Sequence, residues 1–159
     1  MAKKGAGAED GREIICKNRR AKREYHIEYR IEAGMVLRGS EVKSCRDGRA
    51  TINEAYVRVI RGEAFLVGGH IAEYKNAGTF GHDPTRTRKL LLHRKEIDKL
   101  DVRLRQQGQA AVPLALYFKD ARVKIEIGIG KGRSHADRRD VVREREIKRE
   151  IARTMRRGK

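Results

Sequence analysis

Residues 111–130 read AVPLALYFKDARVKIEIGIG. The first eight are apolar throughout, and after a polar break Val123, Ile125, Ile127 and Ile129 alternate with Lys124, Glu126 and Gly128. Alternation with a period of two marks a strand with one buried face, and a short unbroken apolar run marks a strand covered on both sides. Two strands are therefore expected here, with the pattern stopping after Gly130.

Upstream the same period recurs. In YHIEYRIEAG (25–34), Tyr25, Ile27, Tyr29 and Ile31 alternate with His26, Glu28, Arg30 and Glu32, which predicts a strand burying both tyrosines. In INEAYVRVIRGEAFLVGGHI (52–71), Ala55, Val57 and Val59 lead through RGE to Phe65 and Val67, a hairpin with Gly62 in its turn. Gly68 and Gly69 suit a bend or bulge.

Helical signals lie between these strands. GSEVKSCRDGRA (39–50) predicts about two turns of helix, with Ser40 as N-cap, Lys43 at the capping-box position and Gly48 as the stop. YKNAGTFGH (74–82) reads as an exposed loop. In DPTRTRKLLLHRKEIDKLDVRLRQQGQ (83–109), Ile97, Leu100 and Leu104 form one stripe of a helix that ends by Gly108. Leu90, Leu91 and Leu92 fit either its first turn or a buried strand.

About six strands, with two or three helices among them and connections too short for repeated crossovers, predict a mainly β fold. A small antiparallel barrel, closed or nearly closed and flanked by helices, suits the 159 residues, since closure removes edges. The expected organisation is a disordered leader (1–13), the barrel (14–130) and a basic tail (131–159).

Charge narrows the function. The chain carries 39 Lys and Arg against 22 Asp and Glu, a formal net charge of +17, and the tail holds +7 of it. Such a field attracts polyanions, nucleic acid foremost. Besides the tail, basic residues cluster in KNRRAKR (17–23) and in PTRTRK (84–89). Arginine matches phosphates bidentately and stacks on exposed bases.

Signals for other chemistry are weak. IGIGKG lacks the spacing of a phosphate-binding loop and reads as an exit from the barrel. His26, His70, His82, His93 and His135 form no metal-ligand motif, no nucleophile elbow occurs, and Cys16 and Cys45 read as free thiols. No apolar segment suggests a signal peptide or membrane span, so a cytoplasmic protein is expected. Within the tail, Ile147, Ile151 and Met155 have helical spacing, but the narrow stripe predicts a segment disordered alone that folds against an anionic partner.

Several stretches together resemble one family. NRRAKREYHIEYRIEAGMVLRGSEVKSCRDGRA, GEAFLVGGHI and DPTRTRKLLLHRKEI are similar, in this order, to the bacterial SsrA-binding proteins, partners of transfer-messenger RNA in rescue of stalled ribosomes. The resemblance runs from about Ile14 to the end of the chain. It implies an oligonucleotide-binding-fold-like β-barrel with about three helices, acting without catalytic residues, metal or cofactor. The implied partners are transfer-messenger RNA, the ribosome and, in the delivery complex, elongation factor Tu; no membrane partner is implied, and the protein is expected to be monomeric.

By this resemblance Asn18, Glu32 and Leu91 match positions that hold the RNA, with Arg19, Arg20 and Lys22 adding backbone contacts. Arg86, Arg88 and Lys89 are expected to meet RNA or ribosome. In the tail, Lys131, Arg133, His135, Asp137, Arg138, Arg139, Ile147 and Met155 are expected to contact the decoding region and the empty messenger channel. The family pattern places an aromatic residue before the DKR-like triplet, where this chain has Ala136; His135, one place earlier, is the expected substitute. Two alternatives remain: a general single-strand RNA binder on the same barrel, and an RNA-processing enzyme using Asp83, Glu96 or Asp98 with a metal.

Overall fold

A computed structural model describes residues 11–157. Nine strands and four α-helices are found among them: β1 (Glu13–Lys17), α1 (Ala21–Glu24), β2 (Tyr25–Met35), α2 (Gly39–Arg46), β3 (Ala50–Thr51), β4 (Tyr56–Ile60), β5 (Glu63–Val67), β6 (His70–Ile71), β7 (Arg88–Leu91), α3 (Arg94–Leu104), β8 (Gln109–Lys119), β9 (Arg122–Gly132) and α4 (His135–Arg157). Seven strands form one antiparallel sheet in the order β1-β8-β9-β2-β7-β5-β4, and β3 pairs with β6. β4 returns against β8, so the sheet curls into a nearly closed barrel. The mainly β, antiparallel barrel expected from the alternations, which the family resemblance implied to be oligonucleotide-binding-fold-like, is the one observed.

The expected six strands become nine: β3 and β6 are only two residues each, and β1 precedes the first alternation recognised in the sequence. β1 also overlaps the end of the proposed leader at Glu13; residues 1–10 lie outside those described. Leu90–Leu92 resolves toward strand, with Leu90 buried and Leu91 facing out from β7. β9 continues two residues past Gly130, so Lys131 pairs with His26 within the sheet instead of beginning the tail.

The long β2 does not keep one face. A bulge between Ile27 and Tyr29 shifts its register on β9. Tyr25 and Ile27 consequently pack under α1 with Ala21, Val112 and Leu114, while Ile31 and Ala33 enter the barrel. Tyr29 is left 37% exposed beneath the Arg103 guanidinium, 5.2 Å from its ring centre, which corrects its assignment to the core. The cover supplied by α1 also explains the unbroken apolar run of β8, whose bulge against β9 falls after Pro113, where no ladder N–H is missed.

The hairpin turns on Arg61 and Gly62, both with positive φ, and this two-residue loop pairs Ile60 with Glu63. That register buries Ala64 and Leu66 in place of Phe65 and Val67. The cap of α2 also differs: Arg38, not Ser40, precedes the helix, because its N–H donates to Glu41 Oε2 (2.7 Å). Ser40 Oγ instead pairs with His82 Nδ1 (2.8 Å), which buries a histidine expected on an exposed loop. Cys45 is buried and Cys16 half-buried, and burial pushes their thiols up to about 12 and about 11. None of the described helices is long and apolar enough to cross a membrane.

Candidate nucleic-acid interface

Residues that alternate away from the core of β2, β7, β8 and β9 build the candidate surface, which two grooves divide. The first lies beside α1 and is lined by Arg12, Lys17, Arg19, Lys22, Arg30 and Tyr117. The second runs between β2 and the start of α3, with Glu32, Lys89, Leu91, Arg94 and Lys124 along it. The structure thus gathers Arg19, Lys22, Glu32, Lys89 and Leu91 on neighbouring grooves although they are far apart in sequence. Leu91 is 53% exposed, an apolar contact that folding leaves unused. Gly34 leaves it room: they pair across β2 and β7, and a Cβ at 34 would stand 3.3 Å from that of Leu91, a tight contact that would press on it.

Three residues expected to contact RNA also hold the fold together. Asn18 is buried, and its whole amide serves the fold: Nδ2 donates to Pro113 O (2.9 Å) and Ile52 O (3.4 Å), while Oδ1 accepts from the N–H groups of Arg20 (3.2 Å) and Ala21 (3.1 Å). It caps the turn that projects Arg19 and Lys22 into the groove. Arg88 is fully buried, and it donates to Glu41 Oε1 (2.8 Å) and to the carbonyls of Gly69 (2.7 Å) and Pro84 (3.0 Å). Arg86 is tied to the same carboxylate, so the PTRTRK arginines lock α2 to the loop before β7. Arg20 reaches solvent but pairs with Glu24 and Glu54, exposed contacts of little cost to break.

Glu32 lies where the two grooves meet. Its Oε2 accepts the Tyr117 hydroxyl, Lys119 Nζ approaches Oε1 at 3.4 Å, and Arg12 lies 3.8 Å away. The Tyr117 hydrogen bond, with Lys119 and Arg12 behind it, holds this carboxyl below the usual range. Tyr117, Arg12, Arg30, Lys119 and Lys124 were not singled out from sequence, and Lys17 only as part of the KNRRAKR cluster. For Arg30 and Lys124 the available signal was the polar phase of each alternation.

In the tail, His135–Arg157 form one helix, the conformation expected of it against an anionic partner. A reciprocal cap starts it. Ser134 N–H and O–H donate to Asp137 Oδ2 (3.1 and 2.7 Å), and Asp137 N–H donates to Ser134 Oγ (3.2 Å). These bonds from Ser134 hold the Asp137 carboxyl below its ordinary range. The helix is anchored to the barrel where Arg133 N–H donates to Glu24 O (2.7 Å) and Arg138 Nε to Arg133 O (3.1 Å). His135 and Arg139 are exposed beside Ala136, and Ile147, Ile151 and Met155 face solvent along one stripe. Ser134→Ala is expected to fray residues 135–139, visible as reduced helical Cα chemical shifts there, while the barrel's shifts stay fixed; an unchanged first turn would refute the capping role.

A nearly closed antiparallel barrel with a grooved basic face and a charged helix leaving its end belongs to the oligonucleotide-binding-fold-like class. Within that class, the family model described as SmpB protein matches residues 15–157, and the chain belongs to this family. The SsrA-binding protein of Myxococcus xanthus (strain DK1622) is 48% identical, over 97% of this chain and 95% of its own length. That of Parvibaculum lavamentivorans (strain DS-1) is 50% identical, over 98% and 94% respectively. Among solved structures, a chain from "tmRNA-SmpB: a journey to the center of the bacterial ribosome" superimposes with a TM-score of 0.65 at 36% identity, covering 80% of this chain and 94% of that one.

Proposed function

We propose that this protein is the RNA-binding adaptor of trans-translation. The barrel binds the tRNA-like domain of transfer-messenger RNA and brings it to stalled ribosomes, and the tail senses the messenger channel left empty by a truncated message. The observation carrying this reading is the family match over the barrel and the tail together, supported by the grooves that collect Arg19, Lys22, Glu32, Lys89 and Leu91 on one face. Exposed arginines and lysines there supply phosphate contacts, while Glu32 and Leu91 supply contacts that phosphates cannot satisfy. The tail presents Arg138, Arg139 and the Ile147, Ile151, Met155 stripe to a channel walled by RNA; a message already in place would exclude it by volume. The protein acts by binding, without catalysis or cofactor, as a cytoplasmic monomer, and elongation factor Tu joins the delivery complex.

The test is competition binding of the full chain at fixed, near-physiological salt, with labelled tRNA-like domain against excess bulk tRNA. Selective retention of the labelled RNA is expected. If about six phosphates are neutralised, log affinity should fall against log salt with a slope of roughly −4 to −5. Equal competition by bulk tRNA would replace this reading with a general RNA binder.

A further inference from the structure

The contacts around Glu32 do more than keep a surface carboxylate in place. A free carboxylate on an RNA-binding face repels phosphates and, on a flexible side chain, pays rotamer entropy for each contact it makes. Here both oxygens are held from behind by the Tyr117 hydroxyl, Lys119 and Arg12, while about a third of the side chain stays open to the groove. Tyr117 itself is fully buried, its ring covered by the Arg12 guanidinium 4.8 Å from its centre. Glu126 stands directly opposite Glu32 in the β2–β9 register, a like-charge pairing that disfavours this placement unless cations offset it. Arg30, 3.6 Å from Glu126, and Lys119 beside Glu32 supply that offset.

We propose that Tyr117 is a positioning residue for RNA recognition: clamped under Arg12, its hydroxyl aims the Glu32 carboxylate into the groove, where it accepts hydrogen bonds from base N–H or ribose O–H groups. Tyr117 touches no RNA itself. It lines the first groove, holds the residue that lines the second, and so joins the phosphate-binding and the donor-reading halves of the surface. This inference rests on the reading that the grooved face meets the tRNA-like domain.

A double-mutant cycle on the full-length protein tests it, with affinity for the tRNA-like domain measured beside Tm. Tyr117→Phe removes one oxygen and is expected to weaken binding about ten- to a hundredfold, the range of a lost hydrogen bond to a charged group. Glu32→Gln is expected to weaken it at least as much. The double variant should bind no worse than Glu32→Gln alone, because Tyr117 acts only through Glu32. Losses that add in the double variant, or a Tyr117→Phe that lowers Tm while binding RNA normally, would overturn the proposal. Should Tyr117→Phe not fold, Arg12→Gln opens the same clamp and is expected to weaken binding in the same direction; unchanged binding would count against it. A wild-type chain that fails to distinguish this RNA from bulk tRNA would remove the functional reading and this inference together, whereas additive losses in a selective protein remove only the inference.

Discussion

Glu41→Ala is expected to destabilise the protein by about 3–5 kcal/mol, the usual cost of stripping one partner from a buried ion pair. Glu41 has no exposed surface, and four donors converge on it: Arg86 Nε (2.8 Å) and Arg88 Nε (2.8 Å) on Oε1, Arg86 Nη2 (2.6 Å) and Arg38 N–H (2.7 Å) on Oε2. Removing the carboxylate leaves the Arg88 cation fully buried with only carbonyl partners. Glu41→Gln keeps the shape and is expected to cost less, since one oxygen can still accept. Urea denaturation at pH 7 measures both.

The same site sets a pH signature. Burial alone would raise the Glu41 carboxyl, but the hydrogen bonds from Arg86, the Arg38 N–H and Arg88 outweigh it and hold the group at about 2. A carboxyl whose folded value lies below its unfolded one stabilises the fold above the unfolded value of about 4.3 and loses that contribution as pH falls through the folded one. The stability gap between wild type and Glu41→Gln should therefore be widest above about pH 5 and shrink toward pH 2. A gap independent of pH would contradict the assigned charge state.

This network also marks how far the sequence could be read. The alternation at Val123, Ile125, Ile127 and Ile129 gave strand, face and core correctly, because each residue's environment repeats with a two-residue period that needs no distant partner. Arg88 could not be read this way. Its neighbours Arg86 and Lys89 are partly open to solvent, and the carboxylate that permits its burial lies 47 residues earlier. A basic run looks the same whether it faces phosphates or a buried glutamate. The fold-holding role of Asn18 was hidden for a related reason, since its acceptor on β8, Pro113 O, is 95 residues away. Tyr29 was misplaced by a bulge that leaves no mark in the pattern of polar and apolar residues. On the grooves, Lys22, Glu32 and Leu91 were legible through family resemblance, whereas Tyr117 was hidden inside an apolar run that gave no reason to look for a hydroxyl with a task.

Gly130→Ala is expected to be the other severe substitution, and to act on the tail as well as the barrel. A Cβ at Gly130 would stand 1.8 Å from His26 O, 2.7 Å from His26 C and 3.0 Å from Ile27 Cα. These are backbone atoms of the adjoining strand, so no rotamer change relieves the overlap, and β2 must separate from β9 next to the bulge. Overpacking in a core typically costs 1–3 kcal/mol, and a clash that only backbone movement can resolve belongs at about the top of that range or beyond. Three residues further on, Arg133 N–H holds the tail to Glu24 O, so a displaced β9 also re-aims α4. Gly132→Ala is the matched control: it lies in the same strand with no atom near its Cβ, and is expected to change stability by less than about 0.5 kcal/mol. Thermal melts should separate the two variants clearly. Below its melting point Gly130→Ala should still bind the tRNA-like domain through the grooves while losing peptide tagging on ribosomes stalled on truncated messages. Equal Tm for the two variants would mean that β2 gives way there at little cost, and tagging at the wild-type rate would mean that the direction in which β9 launches the tail does not limit its entry into the channel.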